Sequence, residues 1–177
     1  MTKNKTKSML LCALFAAMTA VFSQIVLPLP FTPVPINLAT LAVILSGAVL
    51  GAKRGTVSQL VYVFLGAIGL PIFTKMAGGF MVLVGPTGGY LAGYILMAGL
   101  TGLLVEKLPQ KPYVPPIAML CGTAVLYTFG TAWYVILTKS AIPQALWLCV
   151  VPFLPGDALK IVVASLLTPK LRKLAGR

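Results

Sequence analysis

Pro155-Gly156-Asp157-Ala158-Leu159-Lys160-Ile161-Val162-Val163-Ala164 sets a carboxylate and an ammonium three residues apart inside an apolar stretch that runs over 145–167. In a helix this spacing puts both groups on one face, about one turn apart and within pairing reach. Ionisable groups inside a bilayer are rare and turn toward an interior cavity or a partner. Asp157 and Lys160 are therefore the first candidates for ligand contact. The competing reading is an ion pair that only holds helices together.

The surroundings of this pair set the class of protein. Hydrophobic residues make up 59% of the 177-residue chain and charged residues 9%, whereas soluble domains carry about 25% charged residues. The chain reads as an all-α integral membrane protein. A spanning helix takes roughly 20 apolar residues. Apolar runs divided by charged or Pro/Gly-rich punctuation mark six transmembrane helices in one bundle, over approximately 9–27, 36–52, 56–70, 85–106, 115–138 and 145–167. The second and third are short for a full crossing and imply tilt or partial re-entry. Residues 1–177 form a single membrane domain on this reading, with no appendage large enough for an ATPase or a catalytic module. The first span follows a basic start, as a signal peptide does. It runs past the usual length of such a segment with no small-residue cleavage site before Pro28, and it is expected to be retained.

Charge orients the bundle. With six spans the two termini share a side, which then receives Lys3, Lys5, Lys7, Lys53, Arg54, Lys107, Lys111, Lys170, Arg172, Lys173 and Arg177, while the other side receives only Lys75 and Lys139. The positive-inside rule places both termini in the cytoplasm. A net charge of +12 is met by anionic membrane lipid at that face. The basic loops lack the interleaved aromatics that stack bases, so nucleic acid is not an expected partner. Cys12, Cys121 and Cys149 lie within spans, without CxxC or metal spacing, and read as small apolar residues.

Irregular sequence collects on the opposite side. Leu27-Pro28-Leu29-Pro30-Phe31-Thr32-Pro33-Val34-Pro35 has too many prolines for helix or sheet and reads as a stiff extended loop. Gly69-Leu70-Pro71-Ile72-Phe73-Thr74-Lys75-Met76-Ala77-Gly78-Gly79-Phe80 reads as an apolar lid that brings backbone, and with it Phe73, close to a ligand. Gly85-Pro86-Thr87-Gly88-Gly89-Tyr90 lacks the Lys-Ser/Thr ending of a phosphate loop and precedes a span. It reads instead as a helix start whose free N–H groups at Gly88 and the hydroxyl of Thr87 face a cavity, with Tyr90 as a flat wall. These elements are expected to meet around Asp157 and Lys160.

The first span carries small residues at Ala13 and Ala17 and at Ala16 and Ala20, two adjacent AxxxA stripes that permit close helix approach in lipid. They serve either an external partner or packing within the bundle. Gly47, Gly51 and Gly55 make a comparable stripe at the end of the second span.

Taken in order, Thr32-Pro33-Val34-Pro35, Gly69-Leu70-Pro71-Ile72-Phe73, Gly85-Pro86-Thr87-Gly88-Gly89-Tyr90 and Pro155-Gly156-Asp157-x-x-Lys160 resemble the BioY family, the biotin-specific S-components of energy-coupling factor (ECF) transporters of bacteria and archaea. The resemblance covers nearly the whole chain. It implies a six-helix protein of the prokaryotic plasma membrane that binds biotin near its outer face and docks on a module of one transmembrane coupling protein and two ATPases. It assigns ligand contact to Asp157 and Lys160, and partner docking to an Ala stripe of the first span. The family commonly has Thr and Gln where this chain has Asn37 and Ala39, so Asn37 stands as a substitute polar contact.

The chemistry of the residues fits such a ligand. A rigid ureido bicycle with an aliphatic acid tail calls for an apolar pocket with a few fixed polar groups. Asp157 can accept ureido N–H bonds, and Lys160 can neutralise that carboxylate or meet the ureido oxygen or the acid tail. No cofactor is called for. A membrane enzyme is disfavoured, since the chain has no His and no HExxH or paired-aspartate arrangement. A stand-alone secondary transporter for biotin or another small vitamin is the alternative; it usually shows internal repeats and coupling-ion ligands, which are not evident here.

Overall fold

Proline and β-branched residues decide where the first helix stops. Leu27 precedes Pro28, a position that the proline ring pushes out of helical geometry, and Val26 and Ile36 favour extended backbone. The chain leaves helix α1 (Thr2–Gln24) before residue 27, and Val26–Leu27 (β1) pairs antiparallel with Ile36–Asn37 (β2), Val26 opposite Asn37 and Leu27 opposite Ile36. The expected helical boundaries at 27 and 36 are thus corrected to a two-strand clasp. The computed structural model describes residues 2–27, 35–109 and 111–176, with backbone alone for 2–4. The proline-rich stretch 28–34 lies outside the described residues.

After the clasp come α2 (Ala39–Leu50), α3 (Ala52–Ala67), the short α4 (Phe80–Val84), α5 (Gly88–Lys107), α6 (Val114–Thr138), α7 (Ile142–Cys149) and α8 (Leu154–Ala175). Among the described residues four helical stretches are long and apolar enough to cross a membrane: Lys5–Gln24, Gly88–Lys107, Val114–Thr138 and Ile142–Ala175. The last is broken, which corrects the unbroken span expected over 145–167. Val150 leaves helical geometry (φ −127°, ψ −58°), Val151–Phe153 forms a 3-10 turn, and α8 begins at Leu154. Pro152 and Pro155 lack an N–H, so neither can donate to the carbonyl four residues back, and the helical ladder is interrupted between Cys149 and Leu154. The break places Asp157 in the first turn of α8, where the helix dipole favours an anion.

Helix α2 is the axis of the bundle. Its 12 residues span about 18 Å, and all but Leu41 are buried against α1, α3, α5 and α8. Small residues allow the crowding. A methyl group on Gly55 would meet Gly47 Cα at 2.9 Å, and one on Gly47 would strike the Ala98 carbonyl of α5. Gly51 turns the chain at φ +81°, so α3 starts at the next residue. Lys53 and Arg54 consequently lie in the first turn of α3, which corrects their expected place in a loop.

Hydrogen bonds join α1, α2 and α3 where apolar contact cannot discriminate protein from lipid. Gln59 Nε2 donates to Thr19 Oγ1 (3.2 Å) and Ser46 Oγ (3.1 Å), and Ser58 Oγ donates to the Cys12 carbonyl (2.8 Å). This inward face of α1 also buries Phe15 and Ala16, whereas Ala13 and Ala17 are exposed beside Leu10, Leu14 and Val21. The two Ala stripes are therefore unequal. Ala16 packs within the bundle and Ala20 is half-buried, while Ala13 and Ala17 lie open on the outer face of the helix.

Candidate functional site

The starts of α2, α5 and α8, the middle of α6 and the loop over 68–79 converge on a cavity of about 190 Å³. At roughly 10–15 Å³ per enclosed water, the space suits a small organic molecule better than a few solvent molecules. It sits at the end of the bundle opposite the α2–α3 junction. Its walls are largely aromatic and aliphatic, with Tyr62, Phe73, Tyr90, Leu91, Tyr94, Leu126 and Phe153, and its polar groups cluster at Asp157 and Lys160.

That cluster is closed on itself. Asp157 and Lys160 are 4% and 6% exposed, too little for solvent to stabilise either charge alone. Lys160 Nζ donates to Asp157 Oδ1 (2.8 Å), Thr40 Oγ1 (2.7 Å) and the Asn37 carbonyl (2.7 Å). All three ammonium protons are thereby used within the protein. Thr40 in turn donates to Asp157 Oδ1 (3.3 Å), and Tyr127 donates to Oδ2 (2.6 Å). A carboxylate has about four lone-pair sites, so Asp157 keeps one for a ligand donor. Lys160 neutralises Asp157, and its three bonds fix the carboxylate against the start of α2.

The loop over 68–79 covers this floor and is tied down from α1. Ser23 Oγ donates to the Ile72 carbonyl (2.7 Å). Gln24 Nε2 donates to the carbonyls of Ile72 (3.2 Å) and Phe73 (3.0 Å), while Gln24 Oε1 accepts the Met76 N–H (2.9 Å). These bonds hold Lys75 and Met76 at φ +61° and +56°, a region that non-glycine residues visit seldom. Phe73 is 2% exposed and meets Tyr62 edge-on, with centroids 5.5 Å apart. Lys75 lines the mouth of the cavity and has no ion pair among the described residues.

Of the residues singled out in the sequence, Asp157, Lys160, Tyr90, Thr87, Asn37 and Phe73 all line the cavity. Gly88 does not. It packs against the Leu83 carbonyl, where a side chain has no room. Nor are the N–H groups at this helix start free: Gly88 donates to the Gly85 carbonyl (3.0 Å) and Tyr90 to that of Thr87 (3.1 Å). Tyr90 anchors its hydroxyl on the Cys149 carbonyl (2.9 Å), leaving the ring as wall. Asn37 acts as a clasp: its amide donates to Thr74 Oγ1 (2.9 Å) and its side-chain oxygen accepts the Ala39 N–H (3.1 Å), joining lid to α2.

The BioY family profile matches residues 1–177. The chain belongs to the BioY family. It is 40% identical over 172 residues to the biotin transporter BioY of Thermotoga maritima, covering 95% of this chain and 97% of that one. It is 37% identical over 171 residues to the biotin transporter BioY of Rhizobium etli, covering 92% and 91%. Among solved structures it resembles the S-component for biotin from an ECF-type ABC transporter, with a TM-score of 0.92, 28% identity, and coverage of 98% of this chain and 94% of that one.

Sequence reasoning passed over Thr40, Tyr127 and Lys75. A signal existed for Tyr127, since a tyrosine within a membrane helix needs a partner for its hydroxyl and the chain has few buried acceptors outside the backbone. Thr40 carried none, because β-hydroxyls are routinely satisfied by their own helix.

Proposed function

We propose that this chain is the substrate-binding membrane subunit of an ECF-type transporter, capturing biotin in the cavity floored by Asp157 and Lys160. The observation that carries the reading is the closed Asp157–Lys160–Thr40–Tyr127 cluster at the base of an aromatic cavity. It presents a fixed acceptor to a ureido N–H in a site otherwise suited to an apolar bicycle. With Lys160 fully engaged, Lys75 at the mouth is the cation that meets the ligand's acid tail. Biotin then lies with its rings toward α8 and its tail toward the lid.

The same reading takes α2 and α3 together with the four long apolar stretches as six crossings, counting α7 and α8 as one. It sets the cavity on the extracytoplasmic side and both termini in the cytoplasm. Supporting this are Lys53, Arg54 and Lys107 at the end of the bundle away from the cavity, as the positive-inside rule requires. Docking falls to the exposed Ala13–Ala17 stripe, against a coupling protein that carries two ATPase subunits; this chain holds the ligand and the partners hydrolyse ATP. Mass spectrometry of ligand released from the detergent-purified chain tests the substrate assignment. Biotin is the expected mass, and a different vitamin recovered in stoichiometric amount would overturn it.

A further inference from the structure

Helices α1 and α3 enclose a second, open groove of about 760 Å³ at the end of the bundle away from the ligand cavity. Lys5, Lys53 and Arg54 form its rim, and Met9, Val57 and Val61 its walls. The order follows helical spacing. On α1, Met9 lies four residues from Lys5; on α3, Val57 and Val61 lie four and eight residues from Lys53. Each helix thus presents a cation at its end and an apolar stripe running away from it. The walls are open, with Met9 71%, Val57 42% and Val61 37% exposed.

No ion pair among the described residues accounts for the placement of these cations around an apolar groove. Lys53 and Arg54 stand in the first turn of α3, where the helix dipole favours anions. None of the three has an ion pair among the described residues. The chain has 2 acidic residues; Asp157 is committed to Lys160, and the Glu106 carboxylate accepts the Ala52 N–H at 3.2 Å without lining the groove. Three like charges around an apolar slot at a helix-end level match one kind of molecule, an amphiphile with an anionic head.

We infer that this groove is a binding site for one anionic phospholipid, its phosphate among Lys5, Lys53 and Arg54 and an acyl chain along Met9, Val57 and Val61. Ala13 lines the same groove, so the lipid sits at the edge of the face offered to a partner. The test is native mass spectrometry of the delipidated full chain titrated with dioleoyl phosphatidylglycerol or dioleoyl phosphatidylcholine. About fivefold per basic residue near an anionic headgroup compounds to a preference of roughly 100-fold for phosphatidylglycerol, with one lipid retained per chain. The triple variant Lys5→Gln, Lys53→Gln, Arg54→Gln is expected to abolish that preference, and Val57→Trp to weaken retention of both lipids, with biotin binding unchanged in each. Equal retention of the two lipids, or a preference that survives the triple variant, would overturn the assignment. So would cations that matter only for capture of a protein partner. Loss of biotin binding by wild-type protein bears on the ligand cavity alone.

Discussion

Asp157 and Lys160 constrain each other so closely that each is expected to be indispensable to the other. Asp157→Asn or Lys160→Ala leaves a buried charge without its partner, a loss on the order of 3–5 kcal/mol, so each single variant should weaken biotin binding by at least 100-fold in calorimetry. The double variant should cost less than the sum of the two, because removing both leaves no orphan charge. Additive losses would mean that the two residues act separately. Lys75 makes a different prediction. As a solvent-exposed partner for a carboxylate, its replacement in Lys75→Met should lower affinity for biotin roughly 3- to 10-fold, and leave affinity for biotin amide, which has no charged tail, unchanged. Equal losses for both ligands would place Lys75 outside the tail site. The division of labour between the two lysines could not be read from the sequence, since it depends on Thr40 and the Asn37 carbonyl reaching Lys160 from 120 and 123 residues away.

At the level of elements, α1 has two tasks on its two faces and at its C-terminal end. Gln24 makes three hydrogen bonds to the lid, each worth about 1 kcal/mol net. Gln24→Ala should therefore speed biotin dissociation about tenfold or more, with faster hydrogen exchange at Phe73 and Met76. An unchanged dissociation rate would show that the lid is held by its own turn. Lower on the same helix, Ala17→Trp falls on the exposed face and should keep biotin binding while losing co-purification with the coupling protein and ATP-dependent uptake. Ala16→Trp overfills a buried contact and should destabilise the fold by about 1–3 kcal/mol. Retention of uptake by Ala17→Trp would move the docking face elsewhere. The sequence showed both stripes but not which one faces outward; that depends on Thr19 and Ser23 turning inward to Gln59 and the lid. The same limit explains the misplaced ends of the first and last spans. Apolar content continues through Val26–Leu27 and across 150–153, while strand pairing and proline geometry, which hydropathy does not register, interrupt the helix.

Considered whole, the molecule has its aromatic cavity at one end and Lys53, Arg54 and Lys107 at the other, with the buried α2 between them. Composition alone made the membrane class and a helical bundle legible, and the order of four short motifs made the family legible. The closed polar cluster became visible only when distant segments met. The proposed function requires that this one chain hold a complete biotin site without a partner subunit. Isothermal titration of the purified, detergent-solubilised chain with biotin tests it most directly. Saturable binding with one biotin per chain is expected in the absence of any coupling protein or ATPase. Absence of saturable binding by folded protein, or binding that appears only after the coupling protein is added, would contradict it.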